Sequence, residues 1–66
     1  LNLTEQRKQE IVNALRTIAN NFQPTEDEPE LTMFELISRY NKQYDNPELI
    51  GGKWVRENVP DLADLP

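Results

Sequence analysis

Prolines at positions 24, 29, 47 and 60 cut this chain into short stretches, and each stretch has room for one helix and little else. A proline inside a helix removes a backbone donor and clashes with the preceding turn, so the residues just before each proline mark helix ends. Ahead of Pro24, Ile11, Leu15, Ile18 and Phe22 recur at i, i+4, i+7 and i+11, which puts them on one helical face. Ala14 and Ala19 flank that stripe, while Arg7, Glu10, Asn13 and Arg16 fill the rest. A first helix is predicted over about 4–22. Either Thr4 caps it with Glu5 in the first turn, or Asn2 caps it with Glu5 as the reciprocal partner.

Residues 23–30, Gln-Pro-Thr-Glu-Asp-Glu-Pro-Glu, read as a linker in which two prolines bracket mutually repelling carboxylates and favour an extended, mobile chain. Thr32 then stands three residues before Glu35, a capping box, with Leu31 and Leu36 placed as a hydrophobic staple. Met33, Ile37, Tyr40 and Tyr44 form the stripe of a second helix over about 32–44, with Phe34 and Leu36 widening it. Asp45-Asn46-Pro47 reads as a turn, with Asn46 as N-cap and Pro47 as first residue of a third helix over about 47–58. Gly51-Gly52 either interrupts that helix, leaving short turns at 47–50 and 53–58, or is carried within it at a cost. Leu49, Ile50, Trp54 and Val55 supply its apolar side, and Pro60 is read as its stop. Beyond it, Val59, Leu62 and Leu65 have helical spacing in a tail too short to stand alone. No alternation of β-branched and polar residues suggests a strand. The expectation is one all-α, three-helix domain spanning 1–66, around Ile11, Leu15, Ile18, Phe22, Phe34, Ile37, Tyr40 and Trp54. The start at Leu1 rather than Met reads as a processed form or a fragment of a longer chain.

The chain has no cysteine and no histidine. Disulfides, thiolate or imidazole metal sites, a cysteine nucleophile and the commonest neutral-pH general base are therefore excluded. No set of nucleophile, base and orienting group can be assembled from what remains, so an enzyme is not expected, nor a cofactor or a metal. Gly51-Gly52-Lys53 lacks the spacing and the hydroxyl residue of a phosphate loop. Glu26-Asp27-Glu28-Pro29-Glu30 lacks the alternating ligands and central glycine of a calcium loop. No apolar run reaches the ~18 residues of a membrane span, and the cytoplasm is the default compartment.

The net charge of −5 is uneven. The carboxylates in excess sit in the linker and at Asp61 and Asp64, while the predicted helices are near neutral. This composition suits a non-enzymatic protein-interaction module or small regulator, and Tyr44, Lys53, Trp54 and Arg56 are the expected contact: aromatic centre, basic rim. A core as lean as that of 66 residues also suggests a twofold dimer. Two rivals remain. The second and third helices could be a helix-turn-helix reading DNA through Lys53 and Arg56, although the segment's acidic residues match its basic ones and Glu48 stands where phosphates would lie. Alternatively residues 26–30 with Asp61 and Asp64 could imitate nucleic-acid charge as an inhibitor.

Overall fold

The computed structural model describes residues 3–44 and 50–66. Asn2 as an alternative cap, the Asp45-Asn46-Pro47 turn, Glu48 and Leu49 all lie outside the described residues.

Thr4 is the residue that starts the first helix: extended in backbone, it accepts a hydrogen bond on its hydroxyl from the Arg7 N–H at 3.0 Å. That occupies one of the donors a helix start leaves open. The helix, α1, runs over Glu5–Asn20 and buries Ile11, Val12, Leu15 and Ile18. It stops two residues short of the sequence expectation, so Phe22 packs against the core from the following loop, half-buried. Thr32 repeats the device for α2, Met33–Gln43, accepting from the Glu35 N–H at 3.1 Å. The Glu35 carboxylate turns away from the cap and accepts from Arg39 Nε at 3.2 Å. Leu31 and Leu36, the expected staple, are both buried.

The inward face of α2 is Met33, Leu36, Ile37 and Tyr40. Phe34 is not part of the core, contrary to expectation; it is 69% exposed. At about 100° per residue it stands a quarter-turn from Met33, just outside an apolar stripe already filled by four side chains.

Gly51 is the N-cap of α3, Gly52–Asn58, so no helix runs through both glycines. Val55 is fully buried and Trp54 half-buried against the core. The tail is a further helix rather than a loose end. Pro60 begins α4, Pro60–Ala63, and Val59 and Leu62 are buried. A missing N–H costs nothing at a first helical position, so the proline that ends one helix starts the next. Among the described residues the domain therefore has four helices and no strand. The linker also departs from an extended chain. Thr25 N–H donates to the Glu28 carbonyl and Glu28 N–H donates to Thr25 Oγ1, each at 3.0 Å, and the Glu28 carboxylate is held by Arg39.

Candidate functional site

Two places deserve comparison as sites: a cleft beside the linker and an edge where α3 meets α2. The cleft, about 380 Å³, lies between the end of α1, the linker and α2, and is lined by Thr17, Phe22, Glu28, Arg39 and Gln43 among others. Its one cation is committed. Arg39 donates to both Glu28 and Glu35, and its guanidinium lies over the Phe22 ring, 5.4 Å from the centroid. The hydrogen bond to Glu28 raises its already high pKa further. This cluster fastens the linker to α2 and leaves the cleft no free charge for a ligand.

The edge is built differently. Gly52, at the start of α3, faces the start of α2 so closely that a methyl group there would lie 3.1 Å from Met33 Cε, 3.1 Å from Arg56 Nη1 and 3.6 Å from Phe34 Cε1. With no side chain at 52, the Met33 methyl, the Arg56 guanidinium and the exposed Phe34 ring meet around the start of α3. Arg56 follows Gly52 by four residues and Lys53 by three, so all three share one side of α3. Lys53 and Arg56 are exposed.

The four residues expected as the contact are thus divided. Lys53 and Arg56 stay together. Trp54 lies about 160° around the helix from Arg56, with Val55 pointing into the core between them, and the Asn58 side chain donates to the Trp54 carbonyl at 2.9 Å. Tyr44 is 45% exposed and stacks on buried Tyr40, with centroids 5.1 Å apart. It caps the far end of α2, about 15 Å along the axis from Phe34. The residue that sequence reasoning missed is Phe34. The signal was present: Met33, Leu36, Ile37 and Tyr40 already satisfy i, i+3, i+4, i+7, and Phe34 falls off that stripe.

A second ion pair lies elsewhere. Arg16 on α1 donates to both carboxylate oxygens of Asp61 on α4, at 2.6 and 3.4 Å. This hydrogen bond is the main cause of Asp61's pKa falling below its ordinary value and of Arg16's rising. The pair is exposed and joins the tail to the first helix.

Among the described residues no group of three or more carboxylates is placed to hold a metal ion, and no helix is long and apolar enough to cross a membrane. No family model, curated protein or solved structure matches the chain.

Proposed function

We propose that this domain is a non-enzymatic protein-interaction module whose contact is the edge formed by Phe34, Lys53 and Arg56. The observation that carries this reading is the exposure of Phe34, 69%, at the place where α3 meets α2 beside the exposed Arg56. Phenylalanine left in water forgoes roughly 1.5–3 kcal/mol of burial, and a large aromatic next to arginine is the usual composition of a binding hot spot.

The rival readings fit less well. For a DNA reader, α3 would be the recognition helix, yet it has seven residues and two exposed cations on a chain of net charge −5. A nucleic-acid surface is expected to carry a broad basic footprint. For a charge mimic, the carboxylates should be free, but Glu28 is held by Arg39 and Asp61 by Arg16.

The test is affinity capture from native lysate with three versions of the chain. Phe34→Asp should lose the captured protein while keeping its helical circular dichroism, because the side chain is exposed and an acidic residue in the first turn of α2 suits the helix dipole. A linker variant with Glu26→Gln, Asp27→Asn and Glu30→Gln should keep it; Glu28 is left in place because it holds Arg39. Loss with the linker variant and retention with Phe34→Asp would reverse the assignment in favour of the charge mimic.

A further inference from the structure

We infer that the partner seated on this edge is an acidic segment of another protein, which lays an apolar side chain against Phe34 and sets carboxylates on Arg56 and Lys53. The inference rests on the contact assigned above and adds the chemistry of what binds there.

The charge pattern leads to it. Four cations of this chain are satisfied internally: Arg7 by Glu10, Lys8 by Glu5, Arg16 by Asp61, and Arg39 by Glu28 and Glu35. Among the described residues, the remaining three, Lys42, Lys53 and Arg56, form no ion pair. This is so although the chain has twelve carboxylates for seven cations, and although Glu57 neighbours the last two on the same short helix. Lys42 stands apart in the last turn of α2, while the other two, Lys53 and Arg56, share the side of α3 that meets the most exposed aromatic ring. At physiological salt, charges more than about 8 Å away are largely screened, so an approaching segment meets this local sign rather than the net −5.

The same facts argue against the other occupants. In a twofold dimer the same patch faces itself, so Arg56 and Lys53 would meet their own copies without a carboxylate between them. One ring and two cations also fall well short of the ~800 Å² per partner of a standard interface, and suit a short segment better. Nucleic acid would gain only two phosphate contacts here, and affinity for it grows with the number of counterions released. The expected complex is a modest one in which the ring supplies affinity and the cations supply choice of partner and speed of encounter.

The experiment uses the full chain and three sets of labelled twelve-residue peptides. Each peptide carries one Leu or Phe anchor and differs only in its flanks: Asp/Glu, Asn/Gln or Lys/Arg. Binding is read by fluorescence anisotropy. The acidic set should bind, the amide set should bind about tenfold more weakly, and the basic set should not bind. Phe34→Ala and Arg56→Glu should each remove binding of the acidic set, and Lys53→Glu with Arg56→Glu should transfer preference to the basic set. Indifference to flank charge, or acidic binding untouched by Arg56→Glu, would overturn the inference. So would tighter binding to a twenty-nucleotide DNA, single-stranded or duplex, or sedimentation showing self-association that Phe34→Asp abolishes. The two proposals fail separately. If no peptide set binds while Phe34→Asp still strips the captured protein, the edge stands and the acidic segment falls. If Phe34→Asp leaves capture unchanged, the contact itself is misplaced.

Discussion

The two halves of this domain are folded by different kinds of information. α1 and α2 are sixteen and eleven residues long, and each begins at a threonine whose hydroxyl accepts from a backbone N–H three residues on. α3 and α4 are seven and four residues long and begin at Gly51 and Val59 with no side-chain cap. Isolated helices shorter than about 12 residues are marginal in water; α2 stands at that limit, and α3 and α4 fall far below it without a cap, so the second pair depends most on what it packs against. Val55, Val59 and Leu62 are its anchors, and Arg16–Asp61 is its fastening to α1. The first pair is signalled locally, by its caps and apolar stripes, whereas the second is placed by packing.

Leu62→Ala should have the largest effect on how α3 and α4 are held. Removing a buried leucine side chain should cost about 2–3 kcal/mol, a large share of what so small a domain has. Denaturant titration checks the size, and hydrogen exchange checks the place: protection should fall in α3 and α4 before α1. An equal fall in all four helices would mean that the halves are one cooperative unit. A middle-sized effect is expected at the caps. Thr32→Ala should lower stability by about 1 kcal/mol, and Thr4→Ala by less, because the Thr32 bond is partly buried and the Thr4 bond is exposed. Chemical denaturation of both variants gives the order, and equal losses would show that burial does not strengthen the cap. The smallest effect belongs to the ion pair. Asp61's pKa is depressed in the folded chain, so its contribution is fully present above the unfolded carboxylate value and is lost as pH falls through the folded one. The protection of α4 amides, taken relative to their intrinsic exchange rate at each pH, should therefore fall on acidification in the native chain and lose that dependence in Asp61→Asn. Identical pH profiles would remove Arg16–Asp61 from the account of how the tail is held.

This division also explains what could be read in advance. The caps at Thr4 and Thr32 and the stripes Ile11–Leu15–Ile18 and Met33–Ile37–Tyr40 are local patterns, and they place α1 and α2 to within two residues. Val55, Val59 and Leu62 form an equally regular i, i+4, i+7 row, but Pro60 interrupts it. A proline taken only as a stop conceals that it also suits a first helical position, and so the pattern at 59, 62 and 65 reads as a tail too short to stand alone. The candidate site was legible only in part. Arg56 and Lys53 could be paired from their spacing, whereas their meeting with Phe34 depends on the close approach at Gly52, a contact eighteen residues from Phe34 along the chain that no local pattern encodes. Trp54 and Val55 are adjacent apolar residues on a helix of two turns, and only packing decides that the valine goes inward.

The hydrogen bond from the Met33 N–H to the Pro66 carbonyl, 3.2 Å, has a consequence for the order of events in synthesis. Met33 is the first residue of α2, and its N–H is among those that a helix start leaves open. The acceptor lies thirty-three positions downstream, so α2 can form while the chain is still emerging, but its first turn is completed only after residue 66 has cleared the ribosome. That turn carries Phe34. A nascent chain would therefore display the ring on an unfinished helix, without Gly52 and Arg56 at its side, until residue 66 is available. Contacts this distant in sequence close late because the loop they span must first be ordered. A partner selective for the assembled edge would in that way ignore chains still being made.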